Sequence, residues 1–341
     1  MPYQYTPVDD DLFNGVLPAE FQDRPEPETT PEEDMRDTEG FEDRARGLML
    51  GLLLGDAYDE WTSSGATVHG TCLGQLACFT LEGAIRASVR FANKGICSPP
   101  TVIWHAWCRW GHIQGIDGEY REKWAASGRE WPDGWLHQVR ALSVRRGRAP
   151  ATVAALQAAP QAAHGPASSG GHHAVTRGLP IAVIGANDPA QLAAEVAHLT
   201  HGQPEAIDAA SLAVRIASAL LLDGDVKHLV PALNIPGSDL PNTGAHALHH
   251  GARVASTAES LEAAAEAAAE FGSGAVTTAC ALFGAANGIS GLDETLIHRH
   301  EVAWVADRLA RDAIEEQRHH PSRSEYTAGS DPTWWPRYPG W

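Results

Sequence analysis

Wherever apolar residues cluster in this chain they recur at helical steps, and nowhere do they alternate as a half-buried strand requires. Phe41, Ala45, Leu48, Met49 and Leu52 fall three and four positions apart, and the run closes at Gly55-Asp56, which predicts a first core helix. Asn187-Asp188-Pro189 supplies a cap and a first-turn proline for a helix over 190–200. Pro204 opens another over 205–222, with Ile207, Leu212, Ile216 and Leu220 in one stripe. Ser256 and Glu259 have the spacing of a capping box before Leu261 to Phe271, and Gly272 stops that helix. Residues 275–286 and 294–316 make two more. Such stripes are buried by packing helix on helix, so the expected fold is all-α, a compact multi-helix bundle around one core.

The flanks have a different character. Residues 1–40 are rich in Pro, Glu, Asp and Thr with few aliphatics, so they cannot bury enough apolar surface to offset ordering entropy and are expected to form an acidic disordered tail. The body is expected over 41–316. Residues 317–341, with Trp334, Trp335 and Trp341 among prolines, read as an irregular C-terminal strap, an exposed Trp-rich recognition patch being the alternative.

Net charge is −18, and residues 1–43 alone carry fourteen Asp or Glu against Arg24 and Arg36. A mildly acidic body argues against nucleic acid as a partner, because phosphates need a basic stripe. Arg140, Arg145, Arg146 and Arg148 form the one basic cluster, read as a solvated loop. Cys72, Cys78, Cys97, Cys108 and Cys280 are odd in number and lack CxxC spacing, so neither a zinc knuckle nor a disulfide framework is indicated. No apolar run reaches the ~18 residues of a membrane span. No membrane partner and a reducing cytoplasmic location are the expectation.

Three segments in order carry a resemblance: Gly47-Leu48-Met49-Leu50-Gly51-Leu52-Leu53-Leu54-Gly55-Asp56-Ala57, then Ala197-His198-Leu199-Thr200-His201-Gly202-Gln203-Pro204-Glu205-Ala206, then Gly284-Ala285-Ala286-Asn287-Gly288. Across roughly 41–316 the chain resembles the ADP-ribosylglycohydrolases, including the dinitrogenase reductase-activating glycohydrolase. The resemblance implies an all-α bundle with a binuclear Mg²⁺ or Mn²⁺ centre that cleaves the glycosidic bond between ADP-ribose and its acceptor.

The departures from that pattern are specific. Active members carry Thr-Asp-Asp-Thr-Gln in the first metal loop, where this chain has Thr71-Cys72-Leu73-Gly74-Gln75; Thr71 and Gln75 remain, and both aspartates are gone. The second loop, normally Gly-Asp-x-Asp-Thr, has no acid between Glu270 and Asp293. Thr277 and Thr278 could offer a hydroxyl, which cannot hold Mg²⁺ without carboxylates. The expected cofactor is therefore none, with the family's Mg²⁺ or Mn²⁺ lost. In the phosphate loop, Ser169-Gly170-Gly171-His172-His173-Ala174-Val175-Thr176-Arg177 replaces small residues with His172 and His173, so either these contact phosphate or the segment is a plain surface loop. Gly171, Arg177 and His201 complete the candidate ligand set.

His198 and His201 are spaced as a weak zinc hint, but the reading preferred is capping and hydrogen bonding in the pocket wall. A softer zinc site from Cys72, Cys280 and His201 is set aside, because Cys280 sits in an apolar row where a buried thiol is the ordinary explanation. The family's catalytic Glu falls at Ser63 by strict count, leaving Glu60 as the nearest substitute, beside Asp56. As acid or base, either would need a suitable pKa and a placed water, and a solvated carboxylate is the preferred reading of Glu60.

The first functional reading is a pseudoenzyme whose cleft binds ADP-ribose or a related nucleotide. A hydrolase working without metal through Glu60, Asp56 and His201 is the second. The third is a scaffold whose acidic tail engages a basic protein partner.

Overall fold

The computed structural model describes residues 39–61, 67–128, 130–159, 162, 168–318 and 333–340. The expected acidic tail lies outside them except where the first helix begins, as do 319–332 and Trp341 of the expected strap. In chain order the helices are α1 (Glu39–Asp56), α2 (Cys72–Lys94), α3 (Pro99–Ile113), α4 (Glu119–Ala125), α5 (Arg140–Ser143), α6 (Pro150–Ala158), α7 (His173–Thr176) and α8 (Pro189–His198). They continue as α9 (Pro204–Asp223), α10 (Val226–Ala232), α11 (Gly244–Thr257), α12 (Leu261–Ala269), α13 (Ser273–Asn287), α14 (Glu294–Arg299), α15 (Ala303–Arg318) and α16 (Trp334–Arg337). Among the described residues the extended pairing consists of two single bridges, Val68 with His300 and Gly171 with Thr243.

The pattern that predicts α1 also explains its place. Phe41, Ala45, Leu48, Met49 and Leu52 are all buried, and the helix lies at the centre of the bundle along α13, with α2 and α15 on its other sides. What lets α1 approach α13 is a row of glycines one turn apart. A Cβ on Gly47 would lie 2.3 Å from the Gly284 carbonyl oxygen, one on Gly51 would lie 2.3 Å from that of Cys280, and one on Gly55 would lie 2.9 Å from Thr277 Cα. The two helices therefore touch backbone to backbone at a spacing that no side chain would allow.

Local signals place most boundaries. Asp188 accepts from Gln191 N–H ahead of Pro189, and Pro204 opens α9, as expected. Three boundaries differ. Ser256 belongs to α11 and bonds back to the Arg253 carbonyl; the cap of α12 is Ser260, which accepts from Ala263 N–H. The expected helix over 294–316 is two, because His300 turns extended to pair with Val68, with Val68 N–H on Arg299 O at 2.9 Å and Glu301 N–H on Val68 O at 3.0 Å. The two expected Gly-rich loops are helix starts: Thr71 caps α2 and Gly272, at φ 93°, caps α13.

The C-terminal segment packs against the body. Trp334 and Tyr338 are buried, Tyr338 Oη donates to Asp312 at 2.6 Å, and Arg86 Nε donates to the Pro339 carbonyl. Beneath it Glu82, Arg86, Arg109 and Asp133 form a buried network, with Arg86 on Asp133 at 2.7 Å and Arg109 on Glu82 at 2.5 Å. Burial opposes the charge on Asp133, but Arg109 and Arg86 outweigh it and hold the carboxyl well below its ordinary range.

Gly51→Ala is expected to destabilise by about 1–3 kcal/mol, the cost of overpacking a closed seam. Gly237→Ala, whose new Cβ meets only His249 at 3.4 Å, should stay within about 0.5 kcal/mol. Thermal unfolding of both variants checks this.

Candidate functional site

The C-terminal end of α1 delivers Asp56 to the first turn of α2. There its carboxylate accepts from Thr71 N–H at 2.5 Å, Thr71 Oγ1–H at 2.6 Å and Gly74 N–H at 3.0 Å. The remaining donors of that turn are also occupied: Cys72 N–H on Arg146 O at 2.8 Å and Leu73 N–H on Thr71 Oγ1 at 3.1 Å. The positive end of a 23-residue helix is thus closed by one internal carboxylate. Burial raises the Asp56 carboxyl above its ordinary value even though these three bonds favour the charged form.

The neighbours of Thr71 face inward. Cys72 is buried, and its thiol is pushed up to about 12 by burial and then by Asp56. Gln75 is buried as a tie between helices, donating to Val144 O at 2.9 Å and accepting from Trp110 Nε1 at 3.1 Å. Glu60 ends a short 3-10 turn and accepts from His69 N–H at 2.8 Å. Ser63 lies outside the described residues. Arg146 differs from the expected solvated loop: besides its carbonyl bond to Cys72, it pairs with Glu301 at 3.0 Å.

On α13, Thr277 and Thr278 are fully buried and donate to the Ser273 and Gly274 carbonyls of their own helix, at 2.9 and 2.8 Å. These hydroxyls satisfy themselves locally, as mid-helix threonines do. The first turn of α13 nevertheless joins the two halves of the candidate set. Thr277 abuts Gly55, one residue from Asp56, while on its other flank the His172 ring lies 2.6 Å from where a Gly274 Cβ would be.

The second half is a buried polar cluster around Arg177. Gly171 bridges Thr243, and His172 N–H donates to Asn242 O at 3.0 Å, Asn242 itself adopting φ 63°. Arg177 is wholly buried and, among the described residues, has no carboxylate partner; it donates to Thr152, Thr200 and His201 Nδ1 and lies over the Trp107 ring at 4.1 Å. Burial lowers its pKa to about 9. Burial, and then neighbouring cationic groups, lower His173 to about 3 and His201 to about 2, so both rings are neutral at pH 7. Because His201 Nδ1 faces the Arg177 and Thr200 donors, its proton is assigned to Nε2. That atom lies 3.7 Å from the position of a Gly171 Cβ.

The sequence reading missed His300. Its Nε2 and Asp56 Oδ2 flank Gly70, 3.3 and 2.9 Å from the place of a Cβ there, and burial followed by His69 lowers it to about 4. No local pattern announces this, because the pairing with Val68 that delivers His300 is a contact across the chain. Asn242, Thr152 and Trp107 were missed for the same reason.

The arrangement does not fit a divalent metal pair. The oxygens of Asp56 face three donors, Cys72 and Leu73 stand where carboxylates are needed, and the hydroxyls of Thr277 and Thr278 are turned to their own helix. Among the described residues no three His, Cys, Asp or Glu converge as a ligand set.

The ADP-ribosylglycohydrolase family model matches residues 37–274, and the chain belongs to that family. The match ends within the first turn of α13. A solved structure titled "ADP-ribosylglycohydrolase-related protein complex" shares the fold at TM-score 0.56 and 16% identity, covering 82% of this chain and 100% of its own. No curated protein matches the chain.

His173, His201 and His300 give the fold an acid sensitivity. Each is held below the unfolded imidazole value, so the unfolded chain takes up protons that the folded chain refuses as pH falls. Their contribution is complete above about pH 6.5 and drains at about 1.4 kcal/mol per pH unit for each ring, down to about pH 4 for His300, about 3 for His173 and about 2 for His201. His300→Gln should reduce the slope of stability against pH between 6.5 and 4.5 by one proton's worth, measured by melting at several pH values.

Proposed function

We propose that this chain is an ADP-ribosylglycohydrolase family member without two-metal hydrolysis, whose cleft between the 168–177 segment and the start of α13 binds ADP-ribose or a related nucleotide. The observation that carries the reading is the closure of the α2 start by Asp56, at the position where the family resemblance puts the first metal loop. The end of the family match at Gly274 supports it from the second loop.

Retention of a ligand is supported by polarity. A helix start has orphan N–H groups that favour an anion, and in α13 it lies beside the Gly171 turn, the neutral His201 and the cation of Arg177. Asp56, beyond the α13 start, is already taken up by Thr71 and Gly74, so the reading puts the diphosphate against the α13 start and His201. The acidic tail of residues 1–40 is proposed as a separate docking element for a basic protein, tested by deleting it and measuring partner and nucleotide binding independently.

Calorimetry should show saturable ADP-ribose binding that Mg²⁺ and chelator leave unchanged, weakened about tenfold or more by His201→Ala through loss of one buried hydrogen bond to the ligand. Release of ADP-ribose from modified arginine or serine should be absent. Release that chelators abolish would restore the metal enzyme; release that chelators leave intact and Glu60→Gln removes would establish metal-independent hydrolysis.

A further inference from the structure

At the other end of α2 a second cavity opens, far from the cleft just described. Nineteen residues separate Thr71 from Arg90, which is about 28 Å along a helix at 1.5 Å per residue. The cavity is about 710 Å³, bounded by the end of α2, the start of α3, the segment after α4 and the C-terminal Pro339. This is the size range of sites that hold small organic ligands.

Its walls are chemically distinct. One is aromatic: Trp124 and Trp131 stack at 6.1 Å and 23°, with the His105 ring 4.1 Å from the first and 5.3 Å from the second. The facing side is apolar, with Ile96, Val102 and Pro339. Two arginines, Arg86 and Arg90, and two carboxylates, Glu130 and Asp133, line the cavity. The charge of Arg86 is matched, its guanidinium being held by Asp133 through 3.0 and 2.7 Å bonds. Among the described residues Arg90 forms no hydrogen bond or ion pair; it lines the cavity beside the half-buried Cys97, whose thiol is raised by burial and partly offset by Arg90. An aromatic cluster and the guanidinium of Arg90 lining one cavity match a ring that stacks and an anion that a guanidinium can grip at two points.

We infer that this cavity is a second ligand site, for a planar aromatic compound carrying one anionic group, carboxylate or phosphate, with the ring against Trp124 and Trp131 and the anion on Arg90. The assignment is independent of the ADP-ribose reading, since no residue is shared between the two sites.

Cys97 reports on occupancy. It is half-buried whereas Cys72, Cys78, Cys108 and Cys280 are buried, so N-ethylmaleimide reaches Cys97 in preference to the others. The ratio of alkylation rates with and without probe is followed by intact mass in the full chain. Naphthalene-2-carboxylate should slow alkylation at least fivefold at saturation, with naphthalene-2-carboxamide and cyclohexanecarboxylate at least tenfold weaker. Adenosine monophosphate, run alongside, tells whether phosphate serves as well as carboxylate. Arg90→Gln, on a partly exposed position, should melt as the parent does and lose the protection at least tenfold. Equal protection by the carboxamide, or full protection in Arg90→Gln, would overturn the anion assignment, and an alkylation rate unchanged by every aromatic anion would overturn the site.

Discussion

The backbone contact between α1 and α13 sets the geometry on which the rest depends. Helices ordinarily pack with axes 8–10 Å apart because side chains fill the space between them. Here Gly47, Gly51 and Gly55 remove that filling from one helix, and Gly284 removes it from the other. The consequence reaches beyond the seam. Because α1 cannot slide or lift without collision, its last residue, Asp56, is delivered to one place, within reach of both α2 and α13. Two further glycines, Gly70 and Gly74, leave room around it; a Cβ at either would lie 2.9 Å from Asp56 Oδ2.

Once Asp56 is in that place, the electrostatics of the α2 start follow. A helix N-terminus favours negative charge, and in this chain the first turn supplies none: Cys72 is a neutral thiol pushed up to about 12 and Leu73 is apolar. One carboxylate therefore balances the dipole and takes up the free donors. Additional acids there would repel Asp56 unless cations were present to hold them together. The apolar loop residues and the self-contained Asp56 cap are thus one consistent state, each half of which explains the other. The opposite pole of the cleft is cationic and neutral-donor in character, with Arg177 surrounded by hydroxyls, neutral imidazoles and the Trp107 face in place of a carboxylate.

Helices were legible because their signals are local. Periodicity located the buried face of α1, and caps with first-turn prolines located α8 and α9. Boundaries failed where tertiary pairing outweighed local preference: the 294–316 pattern is helical in period throughout, yet the Val68 bridge extends the chain at His300. At the site, the motif order singled out Asp56, Thr71, Arg177 and His201, of which Thr71 is hydrogen-bonded to Asp56 and Arg177 to His201. What could not be read was direction. Thr277 and Thr278 as residue types are good oxygen donors, and only the helix that contains them turns those oxygens onto the Ser273 and Gly274 carbonyls. His300 and Arg146 come from distant segments, and no spacing rule joins them to Asp56.

The same constraints make the apolar loop hard to reverse. Restoring Asp at 72 and 73 with Thr at 74 would put a Cβ on residue 74 at 2.8 Å from Leu53 Cδ2 and 2.9 Å from Asp56 Oδ2. Both atoms are side-chain ends on the last turn of α1, so a Cβ there would have to displace the Leu53 tip and the Asp56 carboxylate that caps α2. A carboxylate at residue 72 would also meet Asp56, whose field already disfavours a thiolate there, and two uncompensated acids in a buried setting would neutralise by protonation before they assembled a cation site. The first loop and the Asp56 cap are thus coupled through the same carboxylate.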